Sequence, residues 1–303
     1  MSLFRRWWIF LQERFEPIGT TLTIFAFFAA NAIIAWEPAE GAPAFDFGRG
    51  FAGFLLIWLV FLHMRLFDEV KDYQYDRQFN PTRPLARGLI SLDEFGTATL
   101  VTIITESALA AHLGWPVISA YAILLGFTLL MRMEFFIGDW LRPKMEAYAI
   151  SHTFSASLMG MVIGSVISGR HPESLTGAFL IFILGNWFIF NVFEFGRKTN
   201  GREEEREGID TYSLRLYPGG AFALLLVNLL AGVGCCLWAC SWRFGIAPAG
   251  VLWGTIILTF LVMVSGLFYL YRPNRFEARV YRGVVTFFLL AYHIAVAAGA
   301  WWR

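Results

Sequence analysis

The chain has 303 residues, of which 57% are apolar and 16% are charged, whereas soluble domains average about 45–50% apolar and about 25% charged residues. This composition excludes an ordinary water-soluble domain. The formal net charge is +1, which gives no support for nucleic acid as a partner and leaves membrane lipids as the expected surroundings.

Long stretches without charged residues dominate the chain. A bilayer core about 30 Å thick is crossed by about 20 apolar helical residues. The sequence predicts nine such spans: residues 17–36, 50–67, 95–113, 115–131, 147–169, 174–193, 216–242, 244–271 and 283–302. We therefore expect an all-α polytopic membrane protein. The first span is too long for the apolar part of a cleaved signal peptide, so we expect it to stay in the protein.

Acidic residues concentrate where the second predicted span ends. Four carboxylates lie close together there: Asp68, Glu69, Asp72 and Asp76. If the helix continues past the membrane boundary, this spacing places all four on one side of it, where like charges repel. A magnesium ion would relieve the repulsion, because Mg²⁺ prefers carboxylate oxygens and bridges them to phosphates. The alternative is a solvated helix end that neighbouring cations neutralise: Lys71, Arg77 and Arg83.

One carboxylate, Glu106, lies inside the third predicted span. A charged side chain at that depth is costly unless it is neutral or paired. We expect Glu106 to be protonated or bonded to a polar group such as Asn186 or His152. Other histidines in or beside the spans have no partner at a suitable spacing and are predicted to serve packing: His63, His112 and His293.

The end of the sixth predicted span repeats the spacing of the first acidic group. Three positions correspond to Glu69, Asp72 and Asp76 in turn: Asn191, Glu194 and Lys198. This repetition predicts two similar four-helix units plus one extra helix. We expect the two polar helix ends to face each other across a central cavity.

The distribution of Lys and Arg predicts the orientation in the membrane. If nine spans cross the membrane, most of the 24 basic residues lie in segments on the same side of the membrane as the N-terminus. Few lie on the opposite side: Arg49, Arg170, Arg243 and Arg303. Cytoplasmic loops carry the excess of basic residues. We therefore expect the N-terminus and both polar helix ends in the cytoplasm, and the C-terminus outside.

The residues around the first acidic group resemble a known family. Residues 68–76 have the spacing of the motif Asn-Asp-x-x-Asp-x-x-x-Asp of the UbiA superfamily of intramembrane prenyltransferases. Residues 83–91 are similar to the family's Arg-Pro-Leu-x-x-Gly-x-Ile-Ser, and residues 14–20 look like the start of its first helix. Nine helices with both motifs on the cytoplasmic side are also the architecture of that family.

The resemblance implies a single membrane domain over residues 1–303, with motif loops at 68–94 and 191–217. It implies Mg²⁺-dependent ionisation of an allylic prenyl diphosphate in a membrane, such as a bacterial inner membrane, and transfer of the prenyl group to an aromatic or lipid-like acceptor. The implied metal ligands are Asp68, Glu69, Asp72, Asp76, Asn191 and Glu194, with Asp72, Asp76 and Glu194 as the catalytic candidates. The implied diphosphate contacts are Arg83, Arg142, Lys144 and Lys198.

The second motif departs from the family pattern, because Lys198 stands where a metal-binding aspartate is usual. Either Asn191 and Glu194 hold a second magnesium with help from residues 203–207, or Lys198 contacts the diphosphate in place of a metal. The departure strengthens one alternative function, a terpene cyclase of the same superfamily that needs no acceptor. A transporter could use the same carboxylates for an ion, but that reading leaves residues 83–91 unexplained.

Overall fold

A computed structural model describes residues 1–37 and 46–302 of the chain. As predicted, the described part is all-helical. Its α-helices are α1 (Leu3–Arg14), α2 (Pro17–Ala35), α3 (Phe47–Lys71), α4 (Tyr73–Phe79), α5 (Leu92–Leu113), α6 (Trp115–Arg132), α7 (Gly138–Leu141), α8 (Met145–Thr153), α9 (Ser155–Ser168), α10 (Gly177–Arg197), α11 (Tyr212–Arg215), α12 (Tyr217–Phe244), α13 (Ala249–Tyr271) and α14 (Arg275–Trp301).

Eight helical segments in the described residues are long and apolar enough to cross a bilayer, with α8 and α9 together forming one of them. They make the chain an integral membrane protein. The remaining predicted span, residues 95–113 and the third in chain order, forms α5. This helix of 22 residues carries Asp93, Glu94 and Glu106, and it is not among the eight.

The eight segments and α5 form a closed ring. Each long helix contacts the next one in chain order, and α14 packs against α2 to complete the circle. Small residues allow the closest approach, between α13 and α14, where a Cβ atom added to Gly250 would lie 2.8 Å from the Cα of Gly299. Additional contacts of α10 with α2 and α14, and of α9 with α2 and α3, fill the middle of the ring.

Side-chain caps fix the starts of α5 and α14. The Ser91 hydroxyl accepts the main-chain N–H of Glu94, and the Glu94 carboxylate accepts the N–H of Ser91, so the pair forms a capping box at the start of α5. Asn274 starts α14 by accepting the N–H of Glu277. The loop that carries the first motif therefore ends at a defined helix start.

The N-terminal helix α1 holds the loop that follows the first motif. A small second core joins α1 to this loop through Phe10, Leu66, Leu85, Ile90 and Phe95. Arg6 of α1 forms a two-pronged ion pair with Glu94, with N–O distances of 2.5 and 3.0 Å. The loop over residues 80–91 is thus fixed against α1 and α3 rather than free in solvent.

Candidate functional site

The first motif, residues 68–76, lies at the junction of α3 and α4. The α-helix ends at Lys71, yet the main-chain hydrogen bonds continue from the Asp72 N–H to the Asp68 carbonyl at 2.9 Å and from the Asp76 N–H to the Asp72 carbonyl at 2.8 Å. The three aspartates therefore follow one another at one helical turn each, as their spacing predicts.

Two of the four predicted acidic ligands are held by arginines. The buried Glu69 receives Arg14 at 2.6 Å and Arg65 at 2.5 Å on the same carboxylate oxygen. The buried Asp76 accepts Arg83 at 2.5 Å, together with the side-chain amide of Asn80. Arg83, a predicted diphosphate contact, thus stabilises the first motif.

The other two acidic residues, Asp68 and Asp72, are held less firmly. Asp68 is half-exposed, and its one ion pair among the described residues is with Lys71, at 3.4 Å. Asp72 makes no ion pair within the described residues. Burial raises the pKa of the Asp72 carboxyl, and the Asp68 and Asp76 carboxylates raise it further against the opposing effect of Lys71. Asp68 and Asp72 are therefore the carboxylates of this motif that remain available to a cation.

The second motif, residues 191–198, has no carboxylate without a cation. Glu194 pairs with Lys198 at 2.8 Å and with Arg197 at 2.5 Å. Asn191 is buried, and it accepts the Thr153 hydroxyl and donates to the Asn228 side chain. Its amide is thus already used within the bundle, and the second motif presents two cations against one carboxylate.

The glutamates of residues 203–207 do not reach the second motif through any contact in the described residues. Glu203 accepts the main-chain N–H of Arg275, and Glu204 pairs with Arg282 at 2.8 Å. Glu205 accepts the hydroxyls of Thr211 and Ser213. These residues fasten the loop to its surroundings, so the structure does not support their help in holding a second magnesium.

The helix α8 connects the two motifs. At the first motif, the Lys71 ammonium donates to the Tyr148 hydroxyl at 2.6 Å. At the second, the hydroxyl of Thr153 donates to the Asn191 side chain. Both motifs therefore lie at the same end of the bundle, which we call the motif end, and α8 lies between them.

The other two predicted diphosphate contacts lie on the connection before α8. Arg142 is largely exposed and pairs with the buried Glu134 at 2.7 Å. The Lys144 ammonium lies 3.5 Å from the centre of the Trp140 ring. No described contact joins either residue to the two motifs.

A magnesium ion fits the first motif better than the second. Among the described residues, no three His, Cys, Asp or Glu side chains come together in a metal-binding arrangement. Mg²⁺ commonly uses one or two protein carboxylates and completes its shell with water and phosphate. Asp68 and Asp72 supply that number, whereas Glu194 is already neutralised by two cations.

Glu106 has a partner that the sequence did not indicate. The expectation of Asn186 or His152 as its partner was wrong, because the Glu106 carboxylate lies 2.8 Å from His63 Nδ1 and accepts the Tyr121 hydroxyl at 2.8 Å. The helices α3, α5 and α6 bring these side chains together. His63, expected to serve packing alone, instead makes polar contacts through both ring nitrogens.

Two cavities in the described residues lie away from the motif end. One, of about 600 Å³, lies between α12 and α13 and is lined by residues 243–249. The other, of about 10 Å³, lies near Glu37 and Arg170. The central cavity between the motifs stays a prediction.

Comparison with known proteins identifies structural relatives. No family model and no curated protein matches the chain. Among solved structures, it is similar to a digeranylgeranylglyceryl phosphate synthase studied in membranes, with a TM-score of 0.66 and 15% identity over 98% of this chain and 99% of that one. It is also similar to a UbiA homologue from Aeropyrum pernix K1, with a TM-score of 0.66 and 16% identity over 92% and 96% of the two chains.

Proposed function

We propose, from the premise that this chain has the UbiA fold, that it transfers the prenyl group of an allylic diphosphate to an acceptor within the membrane. The observation that carries the proposal is the difference between the two motifs at one end of the bundle. Asp68 and Asp72 remain available to a cation, while Arg197 and Lys198 gather positive charge around Glu194. A diphosphate bound between the two motifs would lie between a cation held by Asp68 and Asp72 and the positive charges of Arg197 and Lys198, which together stabilise it as a leaving anion.

In this proposal, the first motif is the binding site for magnesium. Asp68 and Asp72 would hold the ion, which acts as a Lewis acid on the diphosphate oxygens when bound. Asp76 and Glu69 contribute indirectly, since their arginine partners keep both buried carboxylates in place. Asp72 thus stays close to the aspartates one turn before and after it.

At the second motif, we assign the role of a second metal to side-chain cations. Lys198 is about one-third exposed and Arg197 about half exposed. Both therefore reach the surface of the motif end with donors left over from Glu194. Hydrogen bonds from cations to a diphosphate are charge-assisted and strong. Lys198 therefore contacts the diphosphate directly in this proposal.

The reaction breaks the allylic C–O bond, and its electron pair leaves with the diphosphate. The positive charge that remains on the prenyl carbon needs an environment without water and with aromatic faces. The chain has 31 Phe, 12 Trp and 10 Tyr residues, and α8 and its neighbours bring several of them to the motif end. The acceptor then forms the new bond to this carbon.

The proposed transfer has two candidate acceptor classes, and one alternative function remains. The digeranylgeranylglyceryl phosphate synthase suggests a lipid-like acceptor that carries a glyceryl phosphate, and an aromatic acceptor is the second class. The cationic second motif favours one alternative, a terpene cyclase, in which double bonds of the same chain attack the carbocation. We further infer from the Lys and Arg distribution that the motif end faces the cytoplasm, as in a bacterial inner membrane.

The test uses the purified full-length protein in lipid nanodiscs. Geranyl, farnesyl and geranylgeranyl diphosphate are supplied with Mg²⁺, with 4-hydroxybenzoate, with a glyceryl phosphate ether lipid, or with no acceptor. Diphosphate release that requires an acceptor supports transfer, and cyclic hydrocarbons without acceptor support the cyclase. A protein that releases diphosphate from none of the three substrates contradicts both functions and favours a transporter.

A further inference from the structure

We propose that His152 is the general base of the transfer and that its Nε2 takes the proton that the acceptor loses. The inference rests on the proposed function, since it concerns the second half of the same reaction. His152 lies on α8, the helix that contacts both motifs through Tyr148 and Thr153.

The hydrogen bonds of His152 define which nitrogen is free. Nδ1 lies 2.7 Å from the main-chain carbonyl oxygen of Tyr148. A carbonyl oxygen can only accept, so Nδ1 carries the hydrogen and the lone pair of the neutral ring is on Nε2. Nε2 is buried and has no hydrogen-bond partner in the described residues. Buried polar atoms without a partner are rare in proteins; ten side-chain atoms of this kind occur among the described residues, and Nε2 of His152 is the one that lies on α8.

The two fully buried histidines, His63 and His293, lack this combination. His63 uses both nitrogens, one toward Glu106 and the other toward Thr128. His293 also has an Nε2 without a partner, but it lies on α14 among Phe27, Phe190 and Tyr292. No contact in the described residues joins it to the polar residues of either motif. Of these three histidines, His152 is the one whose unpartnered nitrogen lies on the helix that contacts both motifs.

Aromatic side chains surround His152 on several sides. The Tyr148 ring stacks on the imidazole with centroids 4.0 Å apart, and the Phe135 ring lies perpendicular to it with centroids 5.9 Å apart. Further rings extend this aromatic cluster. Phe135 contacts Phe127, Phe127 contacts Phe154, and Phe154 contacts Trp187. None of these side chains is fully buried, in contrast with the core phenylalanines. The aromatic cluster offers flat faces to a carbocation or an aromatic acceptor next to a base.

The segment that covers His152 is held in an unusual backbone conformation. Glu134, Phe135 and Phe136 have φ values of 50°, 54° and 59°, a left-handed region that side-chain-bearing residues rarely adopt. Strain of this kind is found where the chain changes shape during function. Phe135 of this segment contacts the imidazole, so a change in the backbone of the segment would alter the packing around His152.

The atoms and electrons of the step balance. The allylic C–O bond breaks and its electrons leave with the diphosphate, while the acceptor uses an oxygen lone pair or an aromatic π pair to bond the prenyl carbon. The O–H or C–H bond of the acceptor then breaks, its electrons return to the acceptor, and the proton forms an N–H bond at His152 Nε2. The imidazolium releases this proton to water after the product leaves.

The experiment compares His152→Asn and His152→Ala with the matched control His171→Asn, a histidine in the loop between α9 and α10. Asn keeps a donor near the Tyr148 carbonyl but has no basic nitrogen. The probe is geranylgeranyl diphosphate with whichever of 4-hydroxybenzoate and the glyceryl phosphate lipid the wild type uses. We expect the kcat of both His152 variants to fall by about 100-fold or more. The KM for the diphosphate should change less than about two-fold.

Imidazole added to His152→Ala separates a chemical from a structural role. We expect added imidazole to raise the kcat of His152→Ala at least about ten-fold. A base that contributes roughly 100-fold or more leaves room for a recovery of this size. Rescue also shows that this variant is folded. An unchanged kcat, or a loss that imidazole doesn't restore in a variant that still binds geranylgeranyl diphosphate, overturns the inference.

The failure of this inference and of the proposed function are distinguishable. If the wild type transfers the prenyl group and the His152 variants do so equally well, only the role of His152 is wrong. If the wild type releases no diphosphate from any substrate, the proposed function fails and the base has no reaction to serve. If His152→Asn fails to fold, the rescue of His152→Ala decides the matter.

Discussion

Glu106 and His63 lie fully buried between α5 and α3, with His63 Nδ1 at 2.8 and 2.9 Å from the two carboxylate oxygens. His63 Nε2 lies 3.1 Å from the Thr128 hydroxyl, which donates its own hydrogen to the Leu125 carbonyl. Nε2 must therefore be a donor. One proton remains between Nδ1 and the carboxylate, and the pair carries no net charge whichever atom holds it. This neutrality is how a carboxylate is tolerated inside the membrane.

Removal of one partner should be costly. We expect His63→Leu to lower the free energy of unfolding by about 3–5 kcal/mol, because it leaves a buried carboxylate without its partner. Thermal unfolding in detergent micelles measures the effect, with His112→Leu at an exposed site of α5 as the control. The double variant His63→Leu with Glu106→Leu should regain much of the loss. Equal stability of His63→Leu and the control would contradict the pair's role.

The available carboxylates of the first motif should be needed for turnover. We expect Asp68→Asn and Asp72→Asn each to lower kcat/KM by at least about 100-fold, because both would bind the magnesium that stabilises the leaving diphosphate. Diphosphate release from geranylgeranyl diphosphate measures the effect. Asp93→Asn, an exposed acidic residue at the start of α5 at the motif end, is the control. Wild-type rates in both test variants would remove the assignment of the metal site.

Lys198 should matter most at low magnesium. A charge-assisted hydrogen bond contributes about 1.5–3 kcal/mol, so Lys198→Asp should raise the KM for prenyl diphosphate by about ten-fold or more at low Mg²⁺. Excess Mg²⁺ should recover much of this loss, since the variant places an additional carboxylate beside Glu194. Arg279→Asp, at an exposed position near the start of α14, serves as the control. A magnesium titration identical to that of the wild type would argue against direct contact between Lys198 and the diphosphate.

The loop after the second motif should lose stability in acid. Its hydrogen bonds from Arg282 lower the pKa of Glu204. The stabilisation is therefore fully present above the ordinary Glu pKa of about 4.3 and is lost as the pH falls through the lower folded value. We expect Glu204→Gln to cost up to about 1 kcal/mol at pH 7, and the difference from wild type to vanish near pH 3. A difference that is the same at both pH values would contradict this linkage.

Helix positions were predictable because the bilayer imposes a length on every apolar stretch. The predicted ends differ from the observed ones chiefly where polar residues continue a helix beyond the charge-free stretch. α10 continues to Arg197 rather than stopping at residue 193, and α14 begins at Arg275 rather than at residue 283. Absence of charge marks the part of a helix in lipid, whereas hydrogen bonding and caps determine where the helix ends.

The candidate site was predictable only within single segments. The stacking of Asp68, Asp72 and Asp76 follows from a four-residue spacing along one helix. Arg14 as a partner of Glu69 and His63 as a partner of Glu106 were not predictable, since they come from other helices and no local pattern connects them. Arg65, the second partner of Glu69, lies four residues before it on the same helix and does have a local signal. The free nitrogen of His152 was also missed. Its only sequence signal is a histidine in the fifth predicted span, residues 147–169.

The contact between α2 and α14 has a consequence for biosynthesis. α2 leaves the ribosome early, but the surface it presents to α14 stays uncovered until the final helix has been made and inserted. During synthesis, the face of α2 that packs against α14 is therefore exposed to lipid. A chain whose synthesis stops before residue 275 keeps this face exposed.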